Sequence, residues 1–274
     1  MNKVDRLIKY TQDVYNGQSK KSNYSSIYFH SNEYLKGIFD EVNVNGKDVL
    51  TVLGSGDQAL YMYDRGANSI DFFDKNNLTL YYYYLRVWTI KYLDIFYPEI
   101  FFKNDFLNKL LKFVKPQTID ENIAYLYWKK YIWYFAEYDN DDFEELFIIG
   151  NDPKRNELYD LNKIKEKLEY EKYVFNNIDI TSKGVDFGKK YDVIFTSNIS
   201  DRIHSDKQMI SYKNNLLNHL NENGVIVCSD VIRYDRSRLE ASIFDIDMDF
   251  KRINKSFYGF DYRSPGHVYV RKKI

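Results

Sequence analysis

Short apolar runs, each stopping at a glycine turn or an acidic or small residue and separated by stretches of helical periodicity, constrain this chain more than any other feature. The best strand candidates are "DVLTVL" (48–53), "SIDFFD" (69–74), "YVFNNIDI" (173–180), "YDVIFTS" (191–197) and "GVIVCSD" (224–230). Helices are expected from Gln58 to Arg65, Asn77 to Ile95, Leu158 to Tyr170 and Lys207 to Glu222, with "NENG" as the last helix's stop. Apolar strands alternating with crossover helices predict an α/β fold with a mostly parallel sheet. After Asp230, "SRLEASIFDID" reads as a helix. "DFKRINKSFYGF" and "GHVYVRKK" read as strands joined by the turn "YRSPG", an antiparallel C-terminal hairpin that closes the sheet.

Residues 96–157 break this rhythm. "FFKNDFLNKLLKFV", "IAYLYWKKYIWYFAEY" and "DFEELFII" are aromatic, helix-like segments parted by Pro116, Gln117 and "DNDD". They are expected to form a helical insertion within a domain spanning 47–274, preceded by a polar, partly helical lid segment at 1–46. The chain holds 27 Tyr and 19 Phe, and aromatic residues at helical spacing, Tyr81 to Tyr84 included, are expected in the core.

Several function classes recede on composition. Thirty-nine basic residues against 40 acidic ones, a formal charge of −1, provide no global field for a polyanion, so nucleic acid is not an expected partner. A single cysteine, Cys228 in "GVIVCSD", excludes an internal disulfide and is expected to pack in a strand. His30, His204, His219 and His267 show no metal-ligand spacing, and no catalytic metal is expected. The N-terminal residues lack the apolar core of a secretory signal. No apolar run approaches the roughly 18 residues of a membrane span, so a soluble, cytoplasmic protein is expected. Oligomeric state is not legible.

The first strand candidate runs into Gly54-Ser55-Gly56, and the second ends at Asp74. Glycines between strand and helix let backbone approach a ligand, and amides at the helix start offer donors to it. A carboxylate closing the next strand, about twenty residues on, is suited to ribose hydroxyls. Read literally, Gly54-Ser55-Gly56-Asp57-Gln58-Ala59 is G-x-G-x-x-A, which brings NAD into consideration. Asp57 places a negative charge where a pyrophosphate would approach, whereas the sulfonium and ammonium groups of S-adenosylmethionine would be attracted. The expected parallel series with an antiparallel ending also suits a methyltransferase sheet better than a dinucleotide sheet.

"VLTVLGSGDQAL" followed by "IDFFDKNNLTLYYYYLRVWTIKYL" resembles the "GSxGDQ" loop and "DxN" strand end of a bacterial family of S-adenosylmethionine-dependent methyltransferase-like proteins. That family is similar in turn to the betaine-lipid 3-amino-3-carboxypropyl transferases. The resemblance covers roughly residues 24–95 and 173–201. Lys75, between Asp74 and Asn76, and Leu53, where the family often has a small residue, are departures. It implies a Rossmann-like class I methyltransferase sheet and S-adenosylmethionine as cofactor.

In such a site the amides of Gly54, Ser55, Gly56 and Asp57 face the methionine part and Asp74 holds the ribose. Lys75 and Asn76 border the adenine, and "NNIDI" supplies Asn177, Ile178 and Asp179 to its edge. Ser197 and Asn198, after the fourth strand candidate, line the reacting centre where open α/β sheets bind ligands. Asp201 or His204 is a candidate general base for a hydroxyl acceptor. Tyr24 or Tyr28 is a candidate to cover the sulfonium through a cation–π contact, and Arg233, Arg236 and Arg238 to hold an acidic acceptor. Helix capping, packing or solvated charge compete for most of these. Methyl transfer to a small-molecule acceptor is the first functional reading. The alternatives are aminocarboxypropyl transfer, an NAD-dependent oxidoreductase and a non-catalytic cofactor-binding module.

Overall fold

The structure, a computed structural model, describes residues 27–28, 31, 35–95, 104–135, 147–148, 160–170, 173–203, 205–230, 250–253 and 267–272. Their strands are β1 (Ile27–Tyr28), β2 (Asp48–Val52), β3 (Ser69–Asp74), β4 (Phe147–Ile148), β5 (Phe175–Asn177), β6 (Tyr191–Ser197), β7 (Leu220–Asp230), β8 (Phe250–Ile253) and β9 (His267–Lys272). Their α-helices are α1 (Leu35–Glu41), α2 (Asp57–Asp64), α3 (Asn77–Leu93), α4 (Asn104–Phe113), α5 (Ile119–Phe135), α6 (Leu161–Tyr170) and α7 (Asp206–Asn218). The chain divides into two compact units, one of residues 32–53, 58–75 and 171–274, the other of residues 1–31, 54–57 and 76–170.

The first unit carries a seven-stranded sheet in the order β5-β3-β2-β6-β7-β9-β8. β5, β3, β2, β6 and β7 pair in parallel, while β9 runs antiparallel to both β7 and β8. This is the Rossmann-like class I methyltransferase arrangement, with its reversed strand inserted near one edge. Val49, Leu50, Phe72, Ile194 and Phe195 are all fully buried, as expected of parallel strands covered on both faces. One core cluster joins Leu50, Phe73, Ile194 and Ile226 to Tyr212 and Leu216 of α7. Cys228 packs among them, fully buried.

Two expected elements stop well short, for visible reasons. β5 covers only 175–177 of the run 173–180, because Asp179 Oδ1 accepts from the Thr181 amide at 2.9 Å and the Asp179 carbonyl accepts from the Ser182 amide at 2.9 Å, turning the chain. α7 stops at Asn218 rather than Glu222. His219 ends it: Nδ1 lies 2.7 Å from the Asn215 carbonyl, Nε2 accepts the Phe187 amide, and the His219 carbonyl accepts the Tyr191 amide. "NENG" therefore lies inside β7, at a register shift between the Tyr191↔Leu220 and Val193↔Val225 pairs, with Asn223 at φ +61°. β8 and β9 form the expected antiparallel pair; the "YRSPG" turn and the helix expected at "SRLEASIFDID" lie outside the described residues.

The second unit is built around α3, in which every residue from Leu78 to Ile90 is buried. A helix apolar on all sides needs cover on all sides. α4, α5, α6 and β1 pack against it, and Trp128 Nε1 donates to the Tyr81 carbonyl at 2.8 Å. Tyr81 to Tyr84 are core residues, at most 5% exposed. α6 begins at Leu161, where Asp160 Oδ1 accepts the Asn162 and Lys163 amides. "DFEELFII" departs from its helical reading where it is described: Phe147 and Ile148 form β4, parallel to Ile27 and Tyr28. Aromatic and β-branched residues accept such pairing readily.

Candidate functional site

β2 and β6 are neighbours, and the chain proceeds outward from them in opposite directions, through β3 to β5 and through β7 to the edge. Their C-terminal ends mark the topological switch point where open α/β sheets bind ligands. In the sheet unit the Leu53 amide extends the pairing with a 3.0 Å bond to the Phe73 carbonyl. Asp74 closes β3 opposite Asn177, and its carbonyl accepts Asn177 Nδ2 at 3.0 Å and the Ile178 amide at 3.1 Å. Asp74, Asn177 and Ile178 are thus brought together by register. Asp179 Oδ1 accepts from the Thr181 hydroxyl as well as from that residue's amide, so this oxygen is a turn cap.

Ser197 ends β6 in the left-handed region, φ +53°, an uncommon state for a residue with a Cβ. A bulge puts it there, since Phe195 pairs with Val227 and Ser197 with Cys228, leaving Thr196 extra. Tyr212 donates to Thr196 Oγ1 at 2.6 Å, and Thr196 Oγ1 lies 3.2 Å from Cys228 Sγ, all three being fully buried. Asn198 begins the 3₁₀ turn Ile199–Arg202 without a side-chain capping bond. Asn198 Nδ2 and Ser200 Oγ are buried and have no hydrogen-bond partner among the described residues. Buried donors of this kind ask for a partner. Asp201 lies in that turn, and nothing is described of its side chain; His204, Arg233, Arg236 and Arg238 lie outside the described residues.

The glycine turn belongs to the helical unit. Gly54 sits at φ +51° and Gly56 at φ +81°. A Cβ on Gly56 would lie 2.8 Å from Tyr83 Cδ2, so both conformation and space require glycine there. Asp57 opens α2, but its carboxylate is turned inward and 2% exposed. Oδ1 pairs with Arg86 Nη1 at 2.8 Å, and Oδ2 accepts from Ser55 Oγ at 3.0 Å and the Ser31 amide at 2.5 Å. The same Arg86 Nη1 donates to the Ser55 carbonyl at 2.8 Å. The electrostatic preference for a cationic ligand, drawn from Asp57 as a bare charge, is therefore withdrawn: the charge is compensated by a fully buried guanidinium. Asn76 is buried and caps α3, its Oδ1 accepting the Leu78 amide at 3.0 Å, whereas Lys75 is exposed. Tyr28 lies in β1 opposite Ile148; Tyr24 is outside the described residues.

Arg86, Ser31, Thr196 and Tyr212 escaped the sequence reading. Arg86 carried a signal, a lone cation inside "TLYYYYLRVWTI", since a charge in an apolar helix needs a buried partner. The other three are ordinary polar residues whose roles depend on what packs beside them.

No protein-family model and no curated protein matches the sequence. Solved structures it resembles include the N-methyltransferase NodS from Bradyrhizobium japonicum, at 8% identity over 87% of this chain and 90% of that one, TM-score 0.44. An rRNA methylase from Streptococcus thermophilus matches at 8% identity over 89% and 98%, TM-score 0.44. A TehB-like SAM-dependent methyltransferase from Corynebacterium glutamicum matches at 11% identity over 98% and 99%, TM-score 0.41. At these values they are likenesses only, and the fold class stands on the strand order. One of them is named for an RNA, so they lend no support to the expectation that nucleic acid is no partner.

Proposed function

We propose that this chain is an S-adenosylmethionine-dependent transferase, with methyl transfer to a small-molecule acceptor as its reaction. The observation that carries this reading is β9, reversed between β7 and β8 beside five parallel strands. A dinucleotide sheet continues in parallel at that edge. The residues suit the cofactor: Gly54 and Gly56 turn the backbone at positive φ between β2 and α2, and Asn198 Nδ2 and Ser200 Oγ are buried polar atoms with no hydrogen-bond partner among the described residues. The cofactor, when bound, supplies an electrophilic carbon on sulfur.

The proteinʼs own share is placement, which suits a reaction whose rate comes mainly from proximity and orientation. The amides of Gly54, Ser55, Gly56 and Asp57 are assigned to the methionine end and Asp74 to the ribose hydroxyls. Lys75, Asn76, Asn177, Ile178 and Asp179 are assigned to the surroundings of the adenine, Asn76 and Asp179 acting through the turns they cap. Ser197 and Asn198 are assigned to the reacting centre, Asp201 to taking the acceptorʼs proton, and Tyr28 to the sulfonium.

Calorimetry tests the reading. S-adenosylhomocysteine is expected to bind, NAD not to, and Asp74→Ala to lower the affinity for S-adenosylhomocysteine by about tenfold or more through lost ribose hydrogen bonds. NAD binding without S-adenosylhomocysteine binding overturns the proposal. Formation of methylthioadenosine in place of S-adenosylhomocysteine during turnover would move the transfer to the aminocarboxypropyl group.

A further inference from the structure

Arg86 and Tyr83 stand three residues apart on one face of α3 and both meet the glycine turn. Tyr83 fills the space beside Gly56, and Arg86 Nη1 bonds the Ser55 carbonyl and the Asp57 carboxylate, each at 2.8 Å. A buried ion pair is a poor device for stability alone, because an apolar pair of similar volume does as well or better. It is a good device for direction. In a planar trans peptide the C=O and the following N–H point opposite ways. With the Ser55 carbonyl drawn onto a guanidinium that is fully buried, the Gly56 N–H is turned away from Arg86. Asp57 extends the same lock to Ser31 by accepting its amide at 2.5 Å.

We infer that Arg86 is a positioning residue: through the Ser55 carbonyl and Asp57 it holds the Gly56 amide outward as a donor and keeps Ser31 seated on the turn. The inference rests on the proposed cofactor reading for its ligand, but not for the conformation of the turn. Without the guanidinium the Ser55–Gly56 peptide is free to rotate and present its carbonyl instead.

The test uses the full chain, Arg86→Lys and the double variant Arg86→Met/Asp57→Leu, which removes both charges and leaves neither stranded. Arg86→Lys keeps Asp57 and the positive charge but loses the planar fork, so an effect there belongs to the turn rather than to a lost carboxylate. Two readouts are taken: affinity for S-adenosylhomocysteine by calorimetry, and amide hydrogen exchange across residues 53–60 and at Ser31 in the ligand-free protein.

With an unchanged melting temperature, the double variant is expected to bind S-adenosylhomocysteine at least about tenfold more weakly, the scale of one hydrogen bond to a charged group. Arg86→Lys is expected to fall between it and wild type. Exchange at the turn and at the Ser31 amide both rise. Wild-type exchange in the double variant, or wild-type affinity in both variants, overturns the inference. If the wild type binds no S-adenosylhomocysteine while exchange still rises in the variants, the cofactor reading fails and the positioning role stands. If the double variant does not fold, Arg86→Lys alone decides on the same readouts.

Discussion

The turn after β2 uses two glycines, at φ +51° and +81°, and a buried arginine grips its carbonyl. The turn after β6 starts with Ser197 at φ +53°, where glycine would be the easy choice, and leaves Asn198 Nδ2 and Ser200 Oγ without partners among the described residues. One connection is relaxed in its backbone and locked by charge; the other is strained, and two of its buried side-chain atoms have no partner among the described residues. Strain and unmet donors are retained where the surrounding structure enforces them, and they concentrate at functional positions. On the proposed reading, the first turn offers the cofactor a preset backbone and the second lines the reacting centre.

The largest test of the locked turn is Arg86→Ala. Stranding the Asp57 carboxylate in a site where it is 2% exposed is expected to cost about 3–5 kcal/mol of unfolding free energy, measured by urea denaturation. A loss below about 1 kcal/mol would mean that the pair is solvated, and the contrast between the turns would fail.

Gly56→Ala comes next. A left-handed residue gains a Cβ that meets Tyr83 at 2.8 Å, and a loss of about 2 kcal/mol is expected. Ser197→Gly is the converse experiment: relief of the left-handed strain is expected to raise stability by roughly 1 kcal/mol while lowering the transfer rate. A Ser197→Gly protein that is less stable than wild type would show that the second turn is not strained.

The smallest effect lies at the start of β2, far along the strand from the turn that ends it. The Asp48 carboxyl is held below its ordinary value by hydrogen bonds from the Ser69 hydroxyl and the Asn68 amide. Its contribution to stability is complete above the unfolded carboxylʼs pKa of about 3.9 and disappears as pH falls through the lower folded value. Asp48→Asn should therefore narrow the gap in stability between pH 7 and acid, with little change in cofactor affinity. An equally steep acid loss in the variant would assign the effect to other carboxylates.

Much of the sheet was legible because its strands are buried on both faces, which writes them as continuous apolar runs. β3 and β6 end at Asp74 and Ser197, where the apolar text ends. Where hydrogen bonds rather than burial set a boundary, the reading slipped: Asp179 cut β5 short, and His219 ended α7 four residues early. The candidate site divides in the same way. The glycines and Asp74 are visible because positive φ, close backbone approach and a strand-ending carboxylate each demand particular residue types. The pairing of Asp57 was invisible, because its partner Arg86 is 29 residues away and the two meet only when α3 is packed.

By itself, then, the sequence determined the order of elements, the place of the glycine turn and the apolar character of α3, since these follow from local conformational preference and from the need to bury runs of apolar surface. Tertiary structure alone decided that the Asp57 charge is spent inside the protein, that Ser197 is twisted into the left-handed region by a bulge, and that Ser31 docks on the turn. Each of those depends on which distant group fills the space beside it, and a charge or a hydroxyl declares its role only when that neighbour is in place.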